Sequence, residues 1–233
     1  MQRLCRRKQH KSHASAPLRL WPFPLAVIQI WVSALAIGEQ PPQHSRPPAQ
    51  SQIIFESGAS VGNIHLFAFA DGRRIIPFGI EYDRRFKDWF PPLHIDYVGE
   101  VMPVIFLREP AEFAPDSKPL TTSRQTNYGV GLWPTGFRLY WGRERTVRSY
   151  FIAKGGFLYF GQRPLSQEST KLNFSSQIGG GAEIALNPRF SLRLGFSDFH
   201  FSNGNIGARN PGIDFMYFNA GLSCRLGRQP DKK

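Results

Sequence analysis

"LNFSSQIGGGAEIAL", Leu172 to Leu186, alternates from end to end. Leu172, Phe174, Ile178, Ala182, Ile184 and Leu186 share its even positions with Ser176 and Gly180, while Asn173, Ser175, Gln177, Gly179, Gly181 and Glu183 take odd ones. A period of two with one largely apolar face is the mark of a β-strand. Asn187-Pro188 then signals a tight turn. The alternation resumes with Leu192, Leu194 and Phe196 against Arg193, Gly195 and Ser197. A third segment, Ile213 to Leu226, sets Met216, Phe218, Ala220, Leu222, Cys224 and Leu226 against Asn219, Gly221, Ser223 and Arg225.

Two architectures accept such strands. A soluble sandwich buries the apolar face between two sheets. A transmembrane barrel turns that face to lipid and fills its lumen with the polar one. The polar face here is rich in glycine and long charged side chains, and the segments exceed ordinary soluble strand length. Both features favour the barrel. The expected fold is therefore all-β, an eight-stranded antiparallel transmembrane β-barrel, with strands near 60–70, 75–82, 93–107, 128–141, 147–161, 171–186, 189–202 and 213–226. Short turns at 142–146 and 187–188 suit the periplasmic side, and longer connections at 108–127, 162–170 and 203–212 suit the external side. The ten-residue "DRRFKDWFPP", Asp83 to Pro92, suits its expected periplasmic place poorly. "NAGLSCRL", Asn219 to Leu226, resembles the insertion signal of bacterial outer-membrane barrels, with Leu226 where an aromatic residue is usual.

The start of the chain agrees with export. Arg3, Arg6, Arg7, Lys8, Lys11 and Arg19 precede the apolar run "LWPFPLAVIQIWVSALA", which ends in Ala34-Leu35-Ala36. Residues 1–36 thus read as a signal peptide, with an uncleaved anchor disfavoured by Pro22, Pro24 and Gln29. Residues 37–52, rich in Pro, Gln and Ser, read as a disordered tether. The barrel is expected over 53–228 and a short tail over 229–233. The whole chain carries 29 basic and 17 acidic residues, net +12. Without the six basic residues of the leader it carries 23 against 17, net +6. A nucleic-acid partner loses its support, and anionic lipid surfaces remain.

Cys5 leaves with the leader and Cys224 stays alone, so no internal disulfide forms. His65, His94 and His200 lack metal-ligand spacing, and neither a metal nor a cofactor is expected. "GASVG", Gly58 to Gly62, matches the G-x-S-x-G nucleophile elbow around Ser60, but a tether precedes it and strand-like "NIHLFAFADG" follows. An elbow needs a strand before and a helix after, so Ser60 is read as a chance match.

"DFHFSNGNIGARNPGID", Asp198 to Asp214, is the stretch that carries chemistry. His200 and Ser202 lie two apart on one strand and share a face. Both are in register with Leu194 and Phe196, and Asp214 is in register with Met216 and Phe218. In a barrel all three polar residues face lipid, where a charge is disfavoured by up to a few kcal/mol at mid-membrane. Catalysis on a lipid is one reason for such a cluster, and proximity to the head-group layer is the other.

His-x-Ser-Asn, with Asn210 ten and Asp214 fourteen residues after His200, resembles the active-site segment of the lipid A 3-O-deacylase family, also called acyloxyacyl hydrolases. The resemblance covers about Phe196 to Leu226. It implies an eight-stranded outer-membrane barrel that removes an ester-linked acyl chain from lipid A of lipopolysaccharide with a Ser-His-acid triad on its outer wall. Carried onto this sequence it makes Ser202 the nucleophile, His200 the general base and Asp214 the acid, where the family has glutamate. The Asn210 side chain and the backbone N–H of Asn205, where the family has glycine, become the oxyanion donors. Asp198, on the same face as His200, is the rival acid. Arg209 is read either as a lipid-phosphate contact or as a solvated loop cation. The partners implied are lipopolysaccharide and outer-membrane lipids, with a homodimer left open. The alternative function is a non-catalytic barrel, structural or adhesive.

Overall fold

A computed structural model describes residues 51–90, 93–141 and 146–226. The eight expected strands are present: β1 (Ser51–Ile64), β2 (Arg74–Phe90), β3 (Leu93–Pro110), β4 (Arg124–Trp141), β5 (Val147–Phe160), β6 (Leu172–Ala185), β7 (Phe190–Ser202) and β8 (Ile213–Leu226). Each pairs antiparallel with its sequence neighbour, and β1 closes on β8 from Ser51↔Leu226 to Ile64↔Asp214. Closure leaves no free strand edge, which is what lets a sheet cross lipid.

Side chains alternate as the β6 segment requires, with the apolar set outside. Phe55, Ile80, Val101, Leu132, Ile178, Leu194, Phe196, Phe218 and Leu222 are exposed on the wall, and Phe196 packs on Phe218 with ring centroids 4.7 Å apart. Water would penalise such a belt heavily, whereas hydrocarbon accepts it.

Inside, an eight-stranded barrel has room only for side chains. One buried network fills the half nearer Ser51 and Leu226. Arg138 pairs with Glu81 at 2.8 Å and with Asp83. Arg193 reaches Asp83 at 2.7 Å, Glu81 at 2.9 Å and Glu183 at 3.0 Å. Lys154 Nζ lies 3.0 Å from Glu56, 2.8 Å from Glu81 and 2.6 Å from Glu100. Those three carboxylates resemble a metal cage, but the ammonium already supplies their counter-charge. Arg73, Leu165 and the ends of β7 and β8 belong to the other half, whose interior is apolar: Ile75, Met102, Trp133, Phe160, Phe199, Phe201, Phe215 and Tyr217 form one buried cluster. Here the expectation of a polar lumen fails, because Phe199 and Phe201 point inward while His200 and Ser202 point out.

Three boundaries correct the sequence reading. β1 begins at Ser51, inside the expected tether, because Gln52, Ile54 and Glu56 already alternate inward. Residues 65–70, expected to continue the first strand, leave the ladder because their amides bind a side chain instead, as described below. β2 runs to Phe90 rather than Tyr82, and Arg84↔Tyr97, Lys87↔Ile95 and Phe90↔Leu93 pair it with β3. The awkward ten-residue connection is mostly strand. Residues 1–36, the rest of the tether up to residue 50, and 229–233 lie outside the described residues.

Candidate active site

The connections 65–73, 111–123, 161–171 and 203–212 gather at the barrel end away from Ser51 and Leu226, and they are tied together. Arg73 donates to the carbonyls of Asp71, at 2.6 Å, and Leu165, at 3.4 Å. Ser117 Oγ also donates to Leu165 O, at 2.6 Å. The 203–212 hairpin is pinned through Asn203 and Arg209 to the 161–171 connection.

On the outer wall below that hairpin, β6, β7 and β8 set residues side by side. His200 pairs with Ser176 on one side and Asp214 on the other; one step nearer the Ser51–Leu226 end, Asp198 pairs with Ile178 and Met216. His200 Nδ1 lies 2.5 Å from Asp214 Oδ1. A carboxylate only accepts, so Nδ1 carries the proton and Nε2 is left as the basic nitrogen. The other carboxylate oxygen, Oδ2, accepts three backbone N–H groups, from Leu66 at 2.8 Å, Phe67 at 2.6 Å and Ala68 at 2.9 Å. Asp214 is thereby fully buried although its register faces outward. The shorter acid still reaches the imidazole. Asp198 does not take that place: its Oδ1 is buried without a hydrogen-bond partner.

Ser202 is half-buried on the same face, two residues beyond His200. Gly212, at φ +49°, fills the corner between them. A Cβ there would sit 3.4 Å from Ser202 Cβ, 3.6 Å from His200 Cε1 and 3.0 Å from Ala68 Cβ. Glycine is needed at 212 both for its left-handed backbone and for the close meeting of His200, Ser202 and the 65–73 loop.

Asn210 Oδ1 accepts the N–H of Asn203 at 2.9 Å, which fixes the amide and turns its NH2 group away as a donor. The N–H of Asn205 is engaged differently, donating to Asn203 Oδ1 at 3.0 Å. Asn205 sits at φ 63°, a conformation that asparagine tolerates and glycine adopts freely. Arg209 Nε faces Glu168 Oε2 at 3.4 Å, an exposed pair. Ser60 is buried in the lumen, where its Oγ accepts the Ile75 N–H at 3.0 Å, a strand-end contact with no helix behind it.

Residues 116–223 match the family model of lipid A 3-O-deacylase (PagL). The resemblance read from the last hairpin is borne out. The matched stretch contains His200, Ser202, Asn210 and Asp214. Among solved structures, the outer membrane enzyme PagL is 14% identical and aligns over 75% of this chain and 99% of its own with a TM-score of 0.50. Neisserial surface protein A aligns over 76% and 96% at 11% identity with a TM-score of 0.43. Outer Membrane Protein W of E. coli, solved by NMR, aligns over 79% and 100% at 11% identity with a TM-score of 0.40. No curated protein matches the chain in sequence. The expected fold holds: the chain is an eight-stranded outer-membrane β-barrel, similar over residues 116–223 to the lipid A 3-O-deacylase family model.

Sequence reasoning missed two parts of this candidate site. Ser176 stands beside His200 as a second outward hydroxyl, and its signal was present as a polar residue on the apolar face of β6. The Leu66–Ala68 amides left no signal, because a carboxylate-binding loop is made of backbone, and Leu66 to Ala70 reads equally well as strand.

Proposed function

We propose that the barrel hydrolyses an ester-linked acyl chain of lipid A in the outer leaflet. The observation that carries this reading is the Asp214–His200 hydrogen bond, with Ser202 next along on the hydrocarbon-facing wall. His200 Nε2 takes the Ser202 hydroxyl proton as Oγ attacks the ester carbonyl. The Asn210 amide donates to the tetrahedral oxyanion; the Asn205 N–H serves only if it leaves Asn203. Collapse breaks the ester C–O bond, and the imidazolium returns the proton to the departing sugar oxygen. Water, deprotonated by the same imidazole, then attacks the acyl carbonyl, the C–Oγ bond breaks to release the free fatty acid, and the imidazolium returns its proton to Ser202 Oγ. Asp214 stays a carboxylate throughout and holds the ring in register.

Two outward hydroxyls flank His200, so the nucleophile is tested directly. A long-chain alkyl fluorophosphonate, added to the refolded barrel, is expected to label the peptide that contains Ser202. Labelling disappears in Ser202→Ala and persists in Ser176→Ala. The opposite pattern transfers the role to Ser176, and no label on folded wild type favours the non-catalytic barrel.

A further inference from the structure

Resting on that reading of the site, we propose that the first surface loop, residues 65–73, is a lipid-anchored strap whose apolar side chains embed in the acyl layer of the outer leaflet while its amides hold Asp214 against His200. The loop leaves β1 at Ile64, which pairs with Asp214, and passes over the outer face of β8 before crossing the rim. Its inner side is polar backbone: the N–H groups of Leu66, Phe67 and Ala68 converge on Asp214 Oδ2. Its outer side carries Leu66, Phe67 and Phe69, which are 63%, 66% and 82% exposed, flanked by the exposed His65–Asp71 pair 3.3 Å apart.

The strap is built rather than loose. His65 contacts the Ala68 carbonyl through Nδ1 at 3.1 Å and stacks on Phe69. Asn63 donates to the Asp214 carbonyl at 3.1 Å and accepts the N–H of Gly72 at 3.1 Å. Ala70 enters the apolar interior, so the strap is fixed at both ends. Phe67 meets the His200 ring edge-on, with centroids 5.9 Å apart.

The occupant of that outer side follows from continuity. The strap lies on an outward-facing position of the wall, and the exposed apolar belt of β7, β8 and β1 runs directly beneath it. Three large apolar side chains in water would be an exposed patch without a partner. Against acyl chains they extend the belt up to the triad. The acid is thus held firm where the lipid substrate is present.

Depth is tested without reference to hydrolysis. Phe69→Trp is refolded into phosphatidylcholine vesicles, plain or brominated along the acyl chains, and the emission added over wild type is compared. Quenching by the brominated chains is expected. Emission indifferent to bromine and quenched by aqueous iodide overturns the anchoring. For the positioning half, Leu66→Ser/Phe69→Ser keeps the amides and the Phe67–His200 contact and removes two of the three anchors. In the variant the low-field proton of the His200–Asp214 bond is expected to exchange with solvent about tenfold faster or more, at unchanged heat-modifiable gel mobility. An unchanged exchange rate overturns the positioning role. Because neither readout needs turnover, a barrel that fails to label or hydrolyse contradicts the proposed function while leaving the strap to be judged on its own results.

Discussion

Asp214→Ala is expected to lower lipid A deacylation by roughly 10,000-fold, the loss typical of a triad deprived of its acid. Asp198→Asn is expected to stay within a few-fold of wild type. The contrast rests on geometry. Asp214 spends one oxygen on His200 and the other on three amides, whereas Asp198 stands one step away with an oxygen that meets no partner. Removing the Asp214 carboxylate frees the imidazole to turn and to adopt the wrong tautomer. It also leaves the Leu66, Phe67 and Ala68 N–H groups without their acceptor, at a cost of about 1–3 kcal/mol for each group that stays buried. Heat-modifiable mobility must therefore be checked beside the rate. A folded Asp214→Ala barrel with near-normal rate, or a collapse of the rate in Asp198→Asn, contradicts the assignment of the acid.

Lys154→Met is expected to be the most destabilising single change in the lumen. Lys154 is buried among Glu56, Glu81 and Glu100 and also faces the Trp133 ring at 5.0 Å. Its loss sets three carboxylates together, with their ligand oxygens within 4.8 Å of one another; Glu81 keeps Arg138 and Arg193, but Glu56 and Glu100 lose their ion-pair partner. Breaking one buried pair by deleting a partner costs about 3–5 kcal/mol, and here one deletion breaks three. The urea midpoint for unfolding, read from gel mobility, should fall sharply or the variant should fail to refold. Adding Glu56→Gln and Glu100→Gln to Lys154→Met removes the imbalance of charge and should restore much of the loss, since a neutral, well-packed replacement of a buried ionic cluster is often tolerated. If Lys154→Met unfolds at the wild-type midpoint, the network is not what fills and fixes the barrel.

The strand count and the facing of each residue in β6 to β8 were legible because a period of two is carried by single residues. Leu194 and Phe196 cannot exchange faces with Arg193 without exposing a guanidinium to lipid. The long β2 was less legible, since Asp83, Arg84, Arg85 and Lys87 resemble a solvated loop until β3 is set beside them, where Asp83 proves to be a lumen ligand of Arg138 and Arg193. The apolar cap of the lumen was hidden for the opposite reason: Phe199 and Phe201 stand on the face that carries Arg193 and Ser197, and alternation alone expects polarity there.

The triad candidates were legible as spacing, but the choice between Asp198 and Asp214 was not. Asp198 lies two residues from His200 along β7 and Asp214 lies across the hairpin on β8, so spacing alone brings both within reach. What separates them is the β7–β8 register, which sets Asp214 directly opposite His200, and the strap from the other end of the sequence that buries its carboxylate. A residue such as Leu66, whose contribution is its N–H, has no side-chain signature to find.

The most direct test of the account is mass spectrometry of lipid A after incubation with refolded protein. Wild type is expected to remove the mass of one ester-linked acyl chain and Ser202→Ala to leave lipid A unchanged. Intact lipid A with correctly folded wild type, or an acyl loss that survives in Ser202→Ala, would contradict it.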